Sequence, residues 1–409
     1  MELPTVYLKI RDRLELYAIP WELLSNVSSR SDLILLGRKH EKLAKHMPEA
    51  FVWNNRSLQT EEESNKERAA FWDAVKNLNK DARIPYVLKL DGTSRGRGVH
   101  LITNDEMNLP RYNRTCCVAQ KYIDNPCLLS CPKNPSIGFK WDFRMYVLVV
   151  VDGEDPTQYS AYRYADAFAR RCRDVYDDNM SDRTAHITNT AVNNKGGDAS
   201  FRKYAQEMRK VVEKLSFEEA MLMPTPLYEE EDYDFLPEPE LETGKDGSIP
   251  ITMMLNQAYE LLGSNYSQEE INNAKTAIDE MFKDVLEAAM SPIMQPQASN
   301  PLSYKKHMLV LGMDVLLDDT LKPHLLEINR YPDMSCYSMD QLKVKKQLLH
   351  DVVGQVFPSA PMEVLFEKPI STAARDDLLR GLNPALETGQ QQTNASPQVY
   401  KTDRWTKLL

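Results

Sequence analysis

The chain has 409 residues, of which 42% are hydrophobic and 27% charged, and its formal net charge is −10. This length predicts a sizeable core and two or three lobes, and the negative charge argues against general nucleic-acid binding. The longest apolar run, MYVLVVV after Arg144, is far too short to span a bilayer, and the first residues lack a signal-peptide core. The six cysteines form no CxxC pair, which favours reduced structural thiols. We therefore expect a cytoplasmic protein without a membrane partner.

The first 80 residues predict a small, mostly helical or mixed lobe. SDLILLGRKHEKLAKHMPEAFVWN indicates a short apolar strand, a basic helix and another strand. Further on, ERAAFWDAVKNLN places Phe71, Val75 and Leu78 at helical spacing. That segment predicts a packing helix.

A strand then leads into a glycine-rich turn in RIPYVLKLDGTSRGRGVHLI. Gly96 and Gly98 let a backbone approach an anion closely, while Lys89 on the strand can meet a phosphate as a point charge. Arg95 and Arg97 add donors. The pattern is neither a Walker A loop nor a dinucleotide fingerprint, because no GK[ST] follows and VHLI continues as a strand. It predicts a β-hairpin with a phosphate-covering loop, although an ordinary glycine turn stays an alternative.

The next two strands carry polar groups at defined positions. Gln120 and Lys121 end the apolar strand of TCCVAQKYIDNPCLL, where they either border a base or mark the strand leaving the core. In GFKWDFRMYVLVVVDG, Lys140, Asp142 and Arg144 alternate and so share one face. An internal ion-pair ladder would explain Asp142 with Arg144, whereas a ligand accounts for all three charges.

The middle of the chain has weaker patterns. Residues 160–177 are dense in arginine and aspartate, and one arginine there is a candidate contact for an anionic intermediate. HITNTAVNNK predicts a polar loop in which His186 by itself resembles a structural histidine. Residues 199–300 predict a helical layer with an acidic, disordered insert. One helix of this layer has an apolar stripe of Ile278, Met281, Phe282 and Val285. DQLKVKKQLLHDVVGQVF predicts a closing helix, and the pattern is lost from about residue 359.

LVLGMDVLLDDTLKPHLLEINRYPDM predicts two strands and a turn. With a four-residue loop at Asp319–Lys322, the opposed pairs are Asp318 with Pro323, Leu316 with Leu325, and Asp314 with Glu327. Asn329 falls on the face of the last pair. Two carboxylates and an amide oxygen on one face predict a site for Mg²⁺ carrying nucleotide phosphates. The alternative, a solvated sheet edge, suits the turn acids better than acids within apolar strands.

Five segments, in this order, resemble the tubulin tyrosine ligase-like family of ATP-grasp ligases: KLDGTSRGRGVHLI, QKYIDNP, KWDFRMYVLV, HITNTAVN and GMDVLLDDTLKPHLLEINRYP. The resemblance covers roughly residues 32–357. It implies an α+β ATP-grasp fold, with antiparallel sheets flanked by helices and a nucleotide in the cleft between lobes. The implied parts are an N-terminal lobe at 1–81, shortened relative to the family, a central lobe at 82–121, a C-terminal lobe at 122–358 with a mobile acidic insert at about 225–249, and a flexible tail at 359–409.

The resemblance also assigns roles to individual residues. The ATP-binding residues it implies are Lys89, Arg95, Gly96, Arg97, Gly98, Gln120, Lys121, Tyr122, Ile123, Lys140 and Asp142. The implied substrate-binding residues are Arg144, Arg170, His186, Thr188 and Asn189. The implied Mg²⁺ ligands are Asp314, Glu327 and Asn329, and the implied catalytic residues are Arg170 and Glu327. Three departures from the family pattern are Ala167 for glycine, Val175 for proline, and RYP after Asn329.

The function implied is ATP-dependent amide formation between a tubulin-tail carboxylate and a free amino acid, with glutamate as the main expectation. Tyrosine or glycine ligation, or a non-catalytic microtubule-binding relative, are the alternatives. The resemblance implies ATP and Mg²⁺ as cofactors and tubulin or microtubules as partners, with no nucleic acid and no membrane. It also implies a monomer in the cytoplasm on the cytoskeleton, with the cilium or basal body as a more specific location.

Overall fold

The computed structural model describes residues 16–18, 27, 29–55, 59–76, 86–91, 98–101, 116–132, 134–152, 159–177, 179, 182–193, 249–290, 306–330 and 332, scattered positions from 341 to 355, and 404–409. The strands are β1 (Leu16–Ala18), β2 (Ala50–Trp53), β3 (Tyr86–Leu90), β4 (Val99–Leu101), β5 (Cys117–Lys121), β6 (Leu128–Cys131), β7 (Asn134–Asp152), β8 (Tyr159–Tyr164), β9 (Phe168–Arg171), β10 (Thr252–Met254), β11 (Lys306–Leu317), β12 (Pro323–Asn329) and β13 (Trp405–Lys407). The helices are α1 (Arg30–Lys39), α2 (Glu41–Ala44), α3 (Glu61–Lys76), α4 (Arg183–His186), α5 (Thr190–Asn193), α6 (Leu255–Leu262) and α7 (Gln268–Met290).

The chain divides into two units, and every element discussed below belongs to the unit made of Ala18–Gly196, Leu241–Pro332 and Thr406–Leu409. The other unit comprises Met1–Tyr17, Gly197–Glu240 and Asp333–Trp405. Its described positions from 341 to 355 are helical, where DQLKVKKQLLHDVVGQVF predicts a helix. The predicted helix FRKYAQEMRKVVEKL and the acidic insert up to residue 248 lie outside the described residues.

A small antiparallel sheet has the order β2-β5-β3-β4. One face is covered by α3, whose Phe71 and Val75 pack with Leu88 and Ala119. The predicted packing helix is therefore confirmed. It begins earlier than the apolar pattern, because Thr60 and Glu63 form a reciprocal capping box in the acidic stretch, with backbone nitrogen to side-chain oxygen distances of 2.7 and 3.2 Å.

The larger antiparallel sheet is built around β7, which pairs with β11, β8, β9 and β6. Odd-numbered residues of β7, among them Trp141 and Phe143, enter the main hydrophobic core. The even-numbered charged residues point to the opposite face because side chains alternate along a strand. The predicted separation of charged and aromatic residues on this strand is confirmed.

The core face of the larger sheet packs against α6 and α7. The predicted stripe of Ile278, Met281, Phe282 and Val285 is buried in that core. With antiparallel sheets flanked by helices, the predicted α+β class is confirmed. Among the helices that the structure describes, none combines the length and apolar character needed to cross a membrane.

The strand predicted in SDLILL is wrong, because these residues lie in α1. A short apolar run fits a strand or a buried helix equally well. Here the Ser29 hydroxyl accepts a hydrogen bond from the Asp32 nitrogen at 3.0 Å and caps the helix. Leu33, Leu36 and Gly37 are then buried along one side. The strand predicted after it is confirmed as β2.

The hairpin of β11 and β12 has a different register from the predicted one near its turn. Asp314 pairs with Glu327, as predicted, but the predicted pairs of Leu316 with Leu325 and of Asp318 with Pro323 are wrong. The observed pairs there are Val315 with Leu325, Leu316 with His324, and Leu317 with Pro323. The connection is one residue longer than predicted, and a bulge at Leu326 restores the pairing of Asp314 with Glu327.

Two predicted irregular segments contain short regular elements. Residues 160–177 contain β8 and β9, although their sequence shows little periodicity. In the segment predicted as a polar loop, α4 and α5 flank the non-helical residues Ile187–Asn189. At the end of the predicted tail, the Leu408 nitrogen donates to the Ala161 carbonyl at 2.8 Å.

Candidate active site

A cleft open to solvent lies between the uncovered faces of the two sheets. The small sheet contributes Val87 and Lys89, on the side of β3 opposite to α3, and the larger sheet contributes Asp142, Asp314 and Glu327. Five basic side chains and three carboxylates line the cleft, in a chain whose net charge is −10. A local excess of positive charge favours an anionic ligand.

Charged residues face each other across four neighbouring strands of the larger sheet, in two pairs of opposite sign and one pair of acids. Directly opposed residues are Arg170 on β9 with Asp142 on β7, Arg144 on β7 with Asp314 on β11, and Asp314 with Glu327 on β12. Opposite charges stabilise a cross-strand pair, whereas the two acids destabilise one another unless cations bridge them. The sheet therefore requires its arginines as much as its carboxylates.

Each arginine of this row holds its aspartate through two hydrogen bonds. Arg144 donates from Nε and Nη2 to the two oxygens of Asp314, both at 2.7 Å. Arg170 donates in the same way to Asp142, both at 2.8 Å, and its Nη2 lies 3.1 Å from Asp314 Oδ2. Thr188 also donates to Asp142 at 2.6 Å. These paired, planar contacts fix the orientation of both guanidinium groups.

Burial and ion pairing move the pKa values in this row in different directions. Burial raises the pKa of Asp142, and the neighbouring Arg170 only partly offsets that rise. Burial also acts to raise the pKa of Asp314, but Arg144 and Arg170 outweigh it and the pKa is lowered. For Arg170, burial is outweighed by Asp142 and Asp314, and its pKa is raised. Asp314 is therefore ionised and Arg170 is charged at neutral pH.

On the opposite wall, Lys89 donates to Gln120 at 2.5 Å. Burial, and after it the positive charge of Arg30, lower the pKa of Lys89 to about 8. Val87 pairs with both Gln120 and Leu101, so these side chains form one surface with Lys89. This surface has an apolar part and a single cation at its edge.

The floor of the cleft is held by a chain of polar contacts around Tyr122. Lys140 Nζ lies 3.8 Å from the centre of the Tyr122 ring. The Tyr122 hydroxyl is 2.8 Å from His186 Nδ1, and His186 Nε2 is 3.1 Å from the Asn179 carbonyl oxygen. His186 is buried with both ring nitrogens engaged. Its position favours support of Tyr122 over direct ligand contact.

The predicted metal ligands share one face of the hairpin. Asn329 Nδ2 donates to Glu327 Oε1 at 3.1 Å, and Glu327 opposes Asp314. Within the described part of the chain, no group of three or more His, Cys, Asp or Glu residues is arranged to hold a metal ion. Two carboxylates and an amide oxygen nevertheless fit the oxygen preference of Mg²⁺, which commonly uses only one or two carboxylates and completes its shell with phosphate and water.

The structure brings most of the predicted residues into this cleft. The predicted residues that line it are Lys89, Gln120, Lys121, Tyr122, Ile123, Lys140, Asp142, Arg170, His186, Thr188, Asn189, Asp314 and Glu327. Gly98 is buried at the base of the glycine loop, where its carbonyl accepts from Leu90 at 2.8 Å. Arg95, Gly96 and Arg97 lie outside the described residues.

Comparison with known proteins identifies the family. The model of the tubulin-tyrosine ligase family matches residues 25–224 and 256–364, most of the chain. The chain belongs to this family. Its members have an ATP-grasp-like fold, which agrees with the two antiparallel sheets and the cleft between them.

Curated relatives in this family carry glutamylase names. The chain is 29% identical to tubulin polyglutamylase TTLL5 of Mus musculus over 294 residues, which are 70% of this chain and 18% of the relative. It is 25% identical to tubulin monoglutamylase TTLL4 of Homo sapiens over 367 residues, 82% of this chain and 25% of the relative. For tubulin polyglutamylase ttll6 of Danio rerio the identity is 27% over 278 residues, 66% and 28% of the two chains. The chain thus spans about a fifth to a quarter of the length of these relatives.

Two features of the cleft in this member of the tubulin-tyrosine ligase family were not predicted from its sequence. Arg30 at the start of α1 donates to Glu327 Oε2 at 2.8 and 3.1 Å. Leu316 and Leu326 form an apolar wall opposite Val87. The alternation of β11 places Leu316 on the face of Asp314 and could have revealed it. Leu326 faces the cleft only because of the bulge.

Proposed function

We propose that this protein is an ATP-dependent carboxylate–amine ligase that forms an amide bond between a tubulin-tail carboxylate and glutamate. Membership in the tubulin-tyrosine ligase family supports the reaction class, and the glutamylase names of the relatives support the amino acid. We further propose the lobe boundaries at residues 81, 121 and 358, a monomeric state, and a cytoplasmic location on the cytoskeleton.

One observation carries the proposal: a wall that bears Lys89 and a wall that bears carboxylates line the same cleft. Lys89 on the small sheet faces the ion-paired row that contains Asp314 and Glu327. Phosphates between these walls would meet a lysine on one side and a metal-binding pair of acids on the other. The adenine base would lie between Val87 and Leu316, beside the segment that starts at Gln120.

The reaction takes place in two steps. A carboxylate oxygen of the acceptor attacks the γ-phosphorus of ATP, and the bond between this phosphorus and the β–γ bridging oxygen breaks. ADP is released, and the acceptor carboxylate becomes an acyl phosphate. The deprotonated amine of glutamate then attacks the acyl carbon and gives an anionic tetrahedral intermediate. That intermediate collapses with loss of phosphate to the amide, and the surplus amine proton passes to phosphate or solvent.

Arg170 is the residue suited to the second step. It stays charged at neutral pH, and Asp142 and Asp314 fix its orientation. A preorganised cation beside the developing oxyanion lowers the barrier without reorganisation during the reaction. Thr188 restrains Asp142 in turn, so the segment after His186 contributes to the alignment of Arg170.

Asp314, Glu327 and Asn329 are the residues that would hold Mg²⁺. When bound there, the ion offsets the phosphate charge and orients the γ-phosphoryl group. The ionised state of Asp314 suits this role. Glu327 also contacts Arg30 at 2.8 Å, so one of its oxygens is shared with a cation of the protein.

The decisive experiment incubates the protein with tubulin, Mg-ATP and each of three labelled amino acids: glutamate, tyrosine and glycine. We expect incorporation of glutamate. Glu327→Gln should abolish incorporation, whereas Glu287→Gln, at an exposed carboxylate paired with Lys42, should retain it. Incorporation of tyrosine or glycine alone would refute the choice of glutamate. Binding to microtubules with no incorporation would favour the non-catalytic alternative.

A further inference from the structure

Arg30 connects the two walls of the cleft. Its Nε and Nη2 donate to Glu327 Oε2 at 3.1 and 2.8 Å, and its Nη1 donates to the Leu90 carbonyl at 3.2 Å. Glu327 belongs to the larger sheet, whereas Leu90 ends the strand that precedes the glycine loop. One side chain thus holds the carboxylate pair and the root of the loop at the same time.

The helix that carries Arg30 is itself fixed to the root of the loop. Ser31 donates to Asp91 Oδ2, and Asn55 donates to Ser31 at 2.9 Å and to Asp32 at 2.7 Å. Arg30 therefore reaches Glu327 from a rigid base on the small-sheet side. Its side chain is 16% exposed and that of Glu327 is 25% exposed, so the pair is partly shielded from solvent.

We propose that Arg30 is a positioning residue of the active site, a latch on the Glu327 carboxylate that competes with Mg²⁺ for this group. This inference rests on the proposed ATP and magnesium site.

Arg30 and a bound Mg²⁺ would share the carboxylate of Glu327. Two N–H groups of Arg30 already approach Glu327 Oε2. Mg²⁺ requires near-ideal octahedral geometry at about 2 Å and leaves no room for two donors on the coordinated side of that oxygen. A guanidinium and a dication close to one carboxylate also repel each other. Mg²⁺ bound through Oε2 competes directly with Arg30, and Mg²⁺ bound through Oε1, which accepts from Asn329, still repels the guanidinium across the same carboxylate. In either case we expect the contact between Arg30 and Glu327 to weaken metal binding.

Arg38 provides a matched control on the same helix. It makes an analogous paired contact, from Nη1 and Nη2 to Glu67 at 3.1 and 2.9 Å, but this contact is exposed and involves none of the proposed metal ligands. Loss of Arg38 should therefore affect the helix surface and leave metal binding unchanged.

The test measures binding of a fluorescent, non-hydrolysable ATP analogue to the full chain while Mg²⁺ is titrated. Arg30→Gln should lower the Mg²⁺ concentration at half-maximal binding by at least about fivefold, the change that corresponds to ~1 kcal/mol. Arg38→Gln should leave this midpoint unchanged. In a Glu327→Gln background, Arg30→Gln should have no further effect, because the contested carboxylate is gone.

The outcomes separate this inference from the proposed function. Nucleotide binding by the unchanged protein together with an equal or higher Mg²⁺ midpoint for Arg30→Gln would overturn the latch alone. Failure of the unchanged protein to bind the analogue at any Mg²⁺ concentration would overturn the proposed function as well. If Arg30→Gln does not fold, Arg30→Lys is measured instead. Its single ammonium cannot reproduce the paired contact, so its midpoint should also fall, and an unchanged midpoint refutes the latch.

Discussion

Replacement of Arg170 by glutamine tests the charge row on which the site depends. Arg170 and Asp142 have side chains that are only 11% and 6% exposed, and they share two hydrogen bonds of 2.8 Å. The substitution leaves the Asp142 carboxylate buried. Of the contacts described above, only the hydrogen bond from the Thr188 hydroxyl then offsets its charge. We expect a loss of stability as well as a loss of ligation.

The size of the stability loss follows from the burial of the pair. Removal of one partner from a buried ion pair costs about 3–5 kcal/mol. Because Thr188 keeps its hydrogen bond to Asp142, we expect a loss near the lower end, about 3 kcal/mol. A second change to Asp142→Asn should restore about 1–2 kcal/mol, since a neutral amide needs no counter-charge.

The loss should also depend on pH. Burial raises the pKa of Asp142 in the folded protein, and removal of Arg170 removes a group that lowers it. The folded variant then binds more protons than the unfolded chain, so its stability falls as pH rises through the interval between the unfolded and the raised folded pKa. The deficit relative to the unchanged protein should be smaller at pH 5 than at pH 8.

Urea unfolding followed by tryptophan fluorescence measures these differences, and urea is preferable to guanidinium because salt screens charge pairs. Two results would refute the reasoning. One is a urea midpoint for Arg170→Gln equal to that of the unchanged protein. The other is an Arg170→Gln/Asp142→Asn variant that is less stable than Arg170→Gln alone.

Three further predictions concern the lysine wall, the hairpin turn and one glycine. Burial, and after it the guanidinium of Arg30, lower the pKa of Lys89 to about 8. Affinity for the fluorescent ATP analogue should therefore fall about tenfold from pH 7 to pH 9 as the ammonium is lost. Lys89→Arg should remove this pH dependence. Asp318→Ala deletes the acceptor of four turn hydrogen bonds and should cost about 2 kcal/mol in urea unfolding at pH 7 without changing nucleotide binding. Burial acts to raise the pKa of Asp318, but these bonds lower it overall, so its contribution is present at neutral pH and is lost as pH falls through the lowered pKa. In Gly312→Ala the new Cβ would lie 2.9 Å from Pro332 and 3.4 Å from Arg144, and we expect a stability loss of about 1–3 kcal/mol together with reduced ligation, measured by urea unfolding and glutamate incorporation.

The spacing of apolar residues was sufficient to predict those elements in which it fits the strand repeat or the helix repeat but not both. The alternation in β7 correctly separates Lys140 and Asp142 from Trp141 and Phe143. In α1 the same approach failed, because the four-residue apolar run LILL fits both the strand and the helix period. The Ser29 cap decides the conformation there, and its hydroxyl contact is visible only in the folded chain.

The hairpin shows why the site was more predictable than its register. The assumed four-residue loop paired Asp314 with Glu327, and the structure pairs these two residues as well. The route to that pair differs, because a longer turn shifts the register by one residue and the bulge at Leu326 shifts it back. Neither the longer turn nor the bulge that compensates for it is marked by a local sequence signal.

Long-range partners were beyond sequence reasoning. Arg30 lies 297 residues from Glu327. The ion pair considered for Asp142, as the alternative to a ligand, was with Arg144 of its own strand, whereas the structure pairs Asp142 with Arg170 of the neighbouring strand. Residues two apart on one strand have Cβ atoms about 7 Å apart, whereas opposed residues on paired strands are closer. Ion pairs are therefore formed across the sheet, and topology decides their members.

The charge distribution bears on how an acidic tubulin tail would be captured. The chain is strongly negative as a whole, yet the side chains that line the cleft carry more positive than negative charge. At physiological ionic strength the Debye length is about 8 Å, so the overall negative charge affects a distant tail only weakly. Within that distance, the proposed site would let Arg170 and Lys89, which both line the cleft, act on the tail carboxylate and on the phosphates together. Capture should therefore depend on short-range contacts at the cleft, and the same ion-paired row that stabilises the larger sheet would then select the acidic acceptor.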